Sequence, residues 1–422
     1  MPISPEYKAR LYPVLPDIAE HFGTPFHIYD ERGIRHAMQR LTGAFDGLNF
    51  REFYAVKSLP NPSILSILKA EGGTACGFDC SSVSELILAR TVGTQADEIM
   101  FTSNNTSQRE FEAALGHGGC ILNLDDISLI DKVPHMPELI CFRYNPGERR
   151  TGNAIIGNPA EAKFGVSHEQ IAAAYRRAQV RGAKRFGLHT MIVSNERDYR
   201  SMVTTAAMLL DLVETLSSVL NASFDFINIG GGLGIPYHPE QFPLDLDALS
   251  AELHTLLMDF EAHHGWRPAL YMESGRYVTG PHGVLVTRVI NHKDTYRKYI
   301  GVDANMSALM RPGMYGAYHH IDVVGKVETM PSETVDVVGA LCENNDKFAV
   351  QRQLPRIEDG DLLVIQDTGA HGHSMGFNYN GRLRPQELLL RDDGRVERIR
   401  RAEKLEDYFA TLNFKPDART FH

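Results

Sequence analysis

The sequence predicts an α/β protein, a (β/α)8 TIM-type barrel followed by a mostly antiparallel β domain. Between about residues 49 and 275, eight short apolar segments alternate with helical patterns, and such alternation is typical of a parallel sheet. Eight units in about 250 residues match a closed barrel. After residue 280 strand-like segments follow one another with few helices between them. We place the domains at 26–280 and at 281–422, with residues 1–25 joining the second domain.

The predicted barrel strands are short apolar runs bounded by turn residues. They lie at 49–57, 77–80, 99–103, 119–124, 139–145, 186–192, 224–230 and 269–275. Helical patterns lie at 62–71, 82–91, 108–115, 168–181, 200–220 and 246–262. A strand at 26–30 and a helix from about 31 to 45 precede them, after a helical lead-in over 1–25. The alternative arrangement of the same alternation is an open, doubly wound sheet.

The second domain is predicted from strand-like runs at 284–290, 299–303, 335–339 and 361–365. Turn signals at 358–360 and 392–394, both ending in Asp-Gly, predict β-hairpins.

Composition limits the function classes. The formal net charge of −10 argues against nucleic acid or an anionic membrane as the main partner. No apolar run approaches the roughly 18 residues of a membrane span, and the N-terminus lacks the basic start and apolar run of a signal peptide. The five cysteines, Cys76, Cys80, Cys120, Cys141 and Cys342, fit neither a disulfide framework nor a zinc or other metal site. We therefore expect a protein of the reducing cytoplasm.

A lysine ends the first predicted barrel strand. The run from Phe53 to Lys57 is apolar up to the lysine, and a Pro-Asn-Pro turn follows. An amine at the end of a buried strand is unfavourable unless it is paired or neutral, and a neutral amine is what covalent attachment to an aldehyde needs. The alternative is a lysine whose ammonium reaches the surface.

A glycine cluster and an acidic residue follow the last two predicted barrel strands. Gly230, Gly231 and Gly232 predict an anion cradle, because successive glycine N–H groups can approach a phosphate. Glu273 is placed to hold a pyridine nitrogen in its protonated form. Lysine, cradle and carboxylate together predict pyridoxal 5′-phosphate as the cofactor. The alternatives are a tight turn for the glycines and an ion pair with Arg276 for Glu273.

Eight short motifs in order resemble those of diaminopimelate decarboxylase, a fold-type III pyridoxal-phosphate decarboxylase related to alanine racemase and ornithine decarboxylase. They are Tyr54-Ala55-Val56-Lys57, Phe78-Asp79-Cys80-Ser81-Ser82, Lys163-Phe164-Gly165, Gly230-Gly231-Gly232, Glu273-Ser274-Gly275-Arg276, Arg311-Pro312-Gly313-Met314-Tyr315, Cys342-Glu343-Asn344-Asn345-Asp346 and Ser374-Met375-Gly376-Phe377-Asn378-Tyr379-Asn380. The resemblance spans about residues 26 to 390.

The resemblance implies a role for each matching residue. Catalysis is assigned to Lys57, which would carry the cofactor, and to Cys342, which would donate a proton after CO2 leaves. Cofactor binding is assigned to Lys57, Asp79, Ser194, Gly230, Gly231, Gly232, Glu273, Arg276, His371 and Tyr379. Substrate binding is assigned to Arg276, Arg311, Tyr315 and Glu343. The resemblance also implies a homodimer whose subunits share their active sites.

The residue types agree with a substrate that is an amino acid at both ends. Two arginines and a tyrosine suit a distal carboxylate, and Glu343 suits a distal ammonium. A lysine or ornithine substrate has no distal carboxylate, so meso-2,6-diaminopimelate is expected, with L-lysine and CO2 as products. Without the resemblance, Arg311 can equally be a surface arginine, Tyr315 a core tyrosine, and Cys342 a small buried residue.

Two motifs depart from the family pattern. Met191 stands where the family has a histidine that stacks on the cofactor ring, and Val193 replaces a glycine. His371 replaces a tyrosine near the phosphate and substrate; it can still donate a hydrogen bond, and its charge can change near neutral pH. These changes mark either a subgroup of the same enzyme or a shift in substrate.

Three other functions compete with diaminopimelate decarboxylation. A related decarboxylase for lysine or ornithine, of L or D configuration, is the nearest alternative. A racemase would leave Cys342 and Glu343 without a role. A non-catalytic cofactor-binding barrel would not need the arginine and tyrosine of the second domain.

Overall fold

The computed structural model describes residues 3–153, 155 and 157–413. These residues form two compact units, one over 32–281 and the other combining the segment before residue 32 with the segment from residue 282 onwards. The second unit therefore includes residues 26–31, which the sequence analysis assigned to the barrel, together with the residues before 26, which it assigned to the second domain.

The bounds of the regular elements are as follows. The strands are β1 (Phe26–Asp30), β2 (Phe50–Ala55), β3 (Cys76–Cys80), β4 (Ile99–Ser103), β5 (Ile121–Leu124), β6 (Leu139–Asn145), β7 (Val166–Ser167), β8 (Arg185–His189), β9 (Phe224–Asn228), β10 (Ala269–Met272), β11 (Gly283–Asp294), β12 (Lys298–Val302), β13 (Ile321–Val323), β14 (Glu333–Val338), β15 (Lys347–Leu354), β16 (Leu362–Ile365), β17 (Gln386–Leu390) and β18 (Val396–Arg400). The α-helices are α1 (Pro5–Leu11), α2 (Leu15–Phe22), α3 (Glu31–Ala44), α4 (Pro62–Gly72), α5 (Val83–Thr91), α6 (Gln108–Leu115), α7 (His168–Val180), α8 (Tyr199–Leu220), α9 (Leu246–His264), α10 (Gly275–Thr279), α11 (Arg311–Tyr315) and α12 (Leu405–Phe409).

The first unit is the predicted eight-stranded barrel. Its parallel strands follow the order β5, β4, β3, β2, β10, β9, β8, β6, and β5 pairs with β6 to close the ring. This closure excludes the open-sheet alternative. All eight predicted strands are present. The strands predicted at 49–57, 186–192, 224–230 and 269–275 end two or three residues earlier than expected, because their last residues belong to the loops at the barrel mouth.

Two layers of inward-facing side chains fill the barrel. The apolar layer contains Phe53, Met100, Ile121, Cys141, Phe226 and Ala269. Side chains on a strand return to the same face every second residue, so the next inward layer is polar. It contains Asp79, Asn123, Arg143, His189 and Asn228, all buried. This polar layer lies at the carboxyl ends of the strands, where barrel active sites are found.

Helix α8 is long and apolar enough to cross a membrane by length and composition, although the sequence analysis predicted no such span. It is also an outer helix of the barrel, where Met202, Leu209, Val213 and Leu216 are buried. Core helices of soluble proteins commonly pass the same test, so this helix is weak evidence for a membrane segment.

The second unit is built on a mostly antiparallel sheet with the order β15, β14, β12, β11, β1, β17, β18. Strand β16 also pairs with β11, and β13 pairs with β16. The prediction that residues 26–30 belong to the barrel is wrong. All five residues of β1 are buried, because the strand pairs with β11 on one side and with β17 on the other.

One of the two predicted hairpin turns is present. The turn at 392–394 joins the antiparallel strands β17 and β18. The turn at 358–360 does not form a hairpin, because β16 pairs with β11 and β13 instead of β15. Its backbone bonds to β11 through Gly360 N and the Val289 carbonyl, 3.0 Å apart.

The predicted helical lead-in consists of α1 and α2, which belong to the second unit and pack against its sheet. Ser4 caps α1 by accepting from the Tyr7 N–H. Lys8 and Tyr12 donate to Asp322 at 2.8 and 2.6 Å. Tyr7, Leu11 and Leu15 are buried in one core with Phe26 and Ile28 of β1.

Candidate active site

Lys57 lies on a single helical turn, Val56–Ser58, that follows β2. The prediction that it is the last residue of a buried strand is wrong, because the strand ends at Ala55 and the lysine side chain is exposed. The turn leads directly to Asn61, whose side chain accepts from the Ser63 N–H and begins α4. Lys57 thus lies at the barrel mouth and is not held in an apolar environment.

Glu273, immediately after β10, is a buried carboxylate with two partners. Its Oε1 accepts from Asn228 Nδ2 at 2.8 Å and lies 3.4 Å from His189 Nε2. Burial alone would raise the pKa of Glu273, but His189, Lys57 and Arg143 together hold it below its ordinary value. The residue is therefore ionised at neutral pH. The alternative of an ion pair with Arg276 is wrong, because Arg276 donates to the Tyr237 hydroxyl.

Asp79 and His189 carry buried polar atoms that lack a well-formed hydrogen bond among the described residues. These are both carboxylate oxygens of Asp79 and both ring nitrogens of His189. Burial, and next the charge of Glu273, raises the pKa of Asp79 well above its ordinary value, while Lys57 lowers it. Buried polar groups are normally hydrogen-bonded, so this layer fits a site that receives a polar ligand.

The glycine cluster after β9 is packed against two neighbouring loops. A Cβ on Gly231 would overlap the Glu273 carbonyl oxygen, and one on Gly232 would lie 2.6 Å from the Val193 carbonyl oxygen. Gly230 and Gly232 also have positive φ. The Gly230 N–H is already bonded to Asn228 Oδ1 at 2.8 Å. Gly231 and Gly232 are thus the glycines whose N–H groups can serve an anion.

Ser194 and Arg276 lie on loops at the barrel mouth and are half-buried. Asn153 donates to the Ser194 carbonyl at 2.7 Å and so links this loop to the loop after β6. Arg276 packs over the ring of Tyr237 as well as donating to its hydroxyl. These contacts keep Ser194 and Arg276 close to the glycine cluster, which lies at the same end of the barrel.

Met191 lies beside the glycine cluster. Its Sδ would be 2.9 Å from a Cβ on Gly230, and it lines a small pocket together with Arg143, Phe164 and Ile192. The guanidinium of Arg143 stacks over Phe164 at 4.3 Å. An apolar thioether therefore faces the mouth at the position where the family resemblance expects an imidazole.

The predicted substrate residues lie in the second unit. Arg311 is 7% exposed and begins α11, while Tyr315 at the end of the same helix is 61% exposed. Both alternatives raised for them are wrong, since the arginine is buried and the tyrosine is at the surface. Arg311 Nη1 lies 3.0 Å from His319 Nε2.

The loop at 342–346 packs against helix α11. A Cβ on Gly313 would overlap the Asn345 carbonyl oxygen, so only glycine allows this approach. Asp346 organises the loop by accepting from the Met306 and Leu341 N–H groups at 2.6 and 2.7 Å. Cys342 is exposed, which excludes the alternative of a small buried residue.

The motif at 374–380 also contacts the 342–346 loop. Asn380 Oδ1 accepts from the Cys342 N–H at 2.7 Å, and the neighbouring Tyr379 is half exposed. His371 has a φ of 56°, in the left-handed region that non-glycine residues seldom adopt. The second unit therefore brings together the predicted residues Arg311, Tyr315, Cys342 and Glu343.

Comparisons with known proteins identify the family. A family profile described as "Pyridoxal-dependent decarboxylase, pyridoxal binding domain" matches residues 31–280. Diaminopimelate decarboxylase of Methanothermobacter thermautotrophicus is 38% identical over 405 residues, covering 94% of this chain and 93% of its own. The chain belongs to the diaminopimelate decarboxylase family of pyridoxal-dependent decarboxylases.

Two further relatives of this decarboxylase show how widely the family is matched. Protein TabA of Pseudomonas amygdali pv. tabaci is 46% identical over 416 residues, covering 99% of this chain and 97% of its own. The solved structure of diaminopimelate decarboxylase from M. jannaschii superposes with a TM-score of 0.86 at 29% identity, covering 95% of this chain and 94% of the other.

The cofactor of this decarboxylase is pyridoxal phosphate, and the barrel mouth fits it. When bound, the cofactor supplies an electron-withdrawing ring that stabilises the negative charge left as CO2 departs. Lys57 would hold its aldehyde carbon, Glu273 its pyridine nitrogen, and Gly231 and Gly232 its phosphate. The ionised state of Glu273 is the one that keeps a pyridine nitrogen protonated.

Several residues of the site were missed by the sequence analysis. Asn228 bonds both Glu273 and Gly230, His319 contacts Arg311, and Asn380 holds the Cys342 backbone. Asn228 had a usable signal, a polar side chain inside an apolar strand two residues before a glycine cluster. The other two lie far from their partners along the chain or in irregular segments, so spacing gave no indication.

Proposed function

We propose that the enzyme decarboxylates meso-2,6-diaminopimelate to L-lysine and CO2, the last step of lysine biosynthesis. The observation that supports this most is the cluster in the second unit, where Arg311, Tyr315 and the 342–346 loop share one region. An arginine and a tyrosine suit a distal carboxylate, and Glu343 suits a distal ammonium. A substrate with an amino acid at each end uses both groups.

Within this proposal each side chain has a chemical task. Arg311 and Arg276 orient the distal carboxylate, and Glu343 the distal amine. The thiol of Cys342 lies at the surface of its unit and supplies the proton that replaces CO2 on the α-carbon. Lys57 would hold the cofactor's aldehyde carbon when no substrate is bound.

CO2 release from the purified holoenzyme tests the proposal. We would offer meso-diaminopimelate, L-lysine, D-lysine and L-ornithine at equal concentration. Turnover of meso-diaminopimelate, with at least 100-fold lower kcat/KM for the three monoacids, is expected, since a buried charged group left unpaired discriminates strongly. Turnover of a monoacid in preference to the diacid would overturn it.

A second candidate is decarboxylation of another basic amino acid. Met191 and His371 depart from the family pattern, and protein TabA shows that a relative of high identity carries another name. The same assay decides between the candidates, because only the first predicts that the distal carboxylate is required.

We also propose a homodimer with shared active sites, in the cytoplasm. Exposure of Cys342, Tyr315 and Met314 on one unit supports a partner surface there. Mixing inactive Lys57→Ala and Cys342→Ala proteins would restore part of the activity if each site takes residues from both subunits. A monomer by light scattering, or no restoration on mixing, would contradict the shared site. Cell fractionation tests the location.

A further inference from the structure

Glu52 is a buried carboxyl group with no assigned role. It lies on β2, where its neighbours across the sheet are Met272 of β10 and Cys76 of β3. Phe53 faces the barrel interior, and side chains alternate along a strand, so Glu52 faces the helix layer behind the sheet. Its side chain is 0% exposed.

Among the described residues, the well-formed hydrogen bond of this carboxyl group is to the turn that carries Glu273. Glu52 Oε1 accepts from the Ser274 N–H, in a short contact. Glu52 Oε2 and Ser274 Oγ are both buried and lack a well-formed partner among the described residues. The two residues are therefore held together at a place that excludes water.

The same turn is also packed tightly against the lysine turn. A Cβ on Gly275 would overlap Ser58 Oγ and would lie 3.3 Å from the Ala55 carbonyl oxygen. Ser58 belongs to the helical turn that contains Lys57. Strand β2 thus contacts the 273–276 turn twice, once through a side chain and once through close backbone packing.

We propose that Glu52 is a positioning residue that fixes the 273–276 turn relative to strand β2. Lys57 and Glu273 are then held at a constant separation, which a cofactor bound at both ends requires. The proposal rests on the family's cofactor and not on the identity of the substrate. Displacements near 1 Å at such a site reduce rates by about 100-fold.

The charge state of Glu52 indicates the best conservative variant. Burial, with smaller contributions from Glu273 and Asp79, raises the pKa of Glu52 to about 8, although the Ser274 N–H lowers it. The carboxyl group is then mostly neutral at pH 7. Glutamine has the same length, is neutral and can accept from the same N–H, so Glu52→Gln should preserve the contact.

The test compares Glu52→Gln, Glu52→Asp and Glu52→Leu by Kd for pyridoxal phosphate, visible absorbance of the holoenzyme and Tm. We expect the Kd of Glu52→Gln to stay within about threefold of the parent value. The Kd of Glu52→Asp and of Glu52→Leu should rise about tenfold or more. If Glu52→Leu does not fold, the comparison of Glu52→Asp with Glu52→Gln still tests the positioning role.

Glu98→Leu is the matched control. Glu98 is buried in the same barrel and accepts from Lys69 and from the Gln95 N–H, but it precedes β4 and so lies away from the mouth. It should lower Tm and leave the Kd unchanged. A Kd of Glu52→Asp equal to that of the parent would overturn the proposal. So would a Glu98→Leu variant whose Kd rises as much as that of a Glu52 variant with the same decrease in Tm.

Discussion

His319 holds the guanidinium of Arg311 inside the second unit, with Nε2 of the imidazole 3.0 Å from Nη1. The other ring nitrogen, Nδ1, lies 2.7 Å from the Gln366 carbonyl oxygen. A carbonyl only accepts, so Nδ1 carries the proton and Nε2 accepts from the arginine. A neutral histidine of defined tautomer therefore orients the arginine that we assign to the substrate's distal carboxylate.

Replacing His319 should weaken diacid binding. We expect His319→Phe to raise KM for meso-diaminopimelate roughly tenfold with kcat little changed, because one hydrogen bond to a charged group is lost. His319→Gln, which can accept from the arginine, should restore most of the affinity. Steady-state kinetics on both variants checks this, and equal KM values for the two variants would contradict the orienting role.

Lys57→Ala should remove the covalent attachment of the cofactor. We expect the visible absorbance band of the lysine-bound cofactor to be lost and kcat to fall by about a thousandfold or more, since a nucleophilic residue is lost. Borohydride treatment of the parent enzyme should leave the cofactor mass on the peptide that contains Lys57. The control is Lys163→Ala, which changes an exposed lysine beside Phe164. Loss of the same absorbance in this control would contradict the assignment of Lys57 as the attachment site.

Gly231→Ala should displace the Glu273 backbone. The added methyl group would overlap the Glu273 carbonyl oxygen, and such overpacking destabilises by about 1–3 kcal/mol. We expect the Kd for pyridoxal phosphate, measured by fluorescence titration, to rise about tenfold. Gly43→Ala is the matched control, because that glycine has a helical backbone and nothing within 4 Å of the new methyl group. An unaffected Kd in the Gly231 variant would show that the turn relaxes.

Acid should destabilise the second unit through His27. Burial, and next the charge of His373, lowers the pKa of His27 to about 3 from its ordinary value near 6.5. Between these values only the unfolded chain binds the proton, so stability is full above pH 6.5 and is lost as the pH falls. The loss from this residue is roughly 2 kcal/mol between pH 7 and pH 5.

Urea unfolding at the two pH values checks the sign and size of this effect. His27→Gln should be less stable at pH 7 because Thr368 and Ala308 lose their imidazole partner, but its stability should fall less on going to pH 5. His263→Gln, at an exposed histidine, is the control. An equal pH dependence in parent and His27→Gln would assign the acid sensitivity to other groups.

The barrel was predictable because its signals are local. Each strand is a short apolar run and each helix a periodic pattern, and Gln108–Leu115 even matches its predicted bounds. Lys57, Glu273 and the glycines were found because parallel strands bring their carboxyl ends to one edge. The predicted ends of the strands were less accurate, because the sequence pattern does not distinguish an apolar loop residue such as Val56 from a strand residue.

The second unit was harder to predict because its pairings are non-local. Strand β1 reads as the first strand of an alternating series, yet its partners β11 and β17 lie more than two hundred residues away along the chain. No pattern within residues 26–30 distinguishes the two placements. Likewise, no local pattern indicates that Gly313 and Asn345 are in contact, although their contact brings two motifs together.

The pairing of β1 also has a consequence for synthesis on the ribosome. About 250 residues separate β1 from β11, and at 5–20 residues per second this is roughly 10–50 s of translation. During that time Phe26, Ile28 and Tyr29, all buried in the finished sheet, have neither neighbour. The barrel segment can be completed first, because it is continuous. We therefore expect the nascent N-terminal strand to stay unpaired, with its apolar side chains uncovered, until the strands of the second unit have been synthesised.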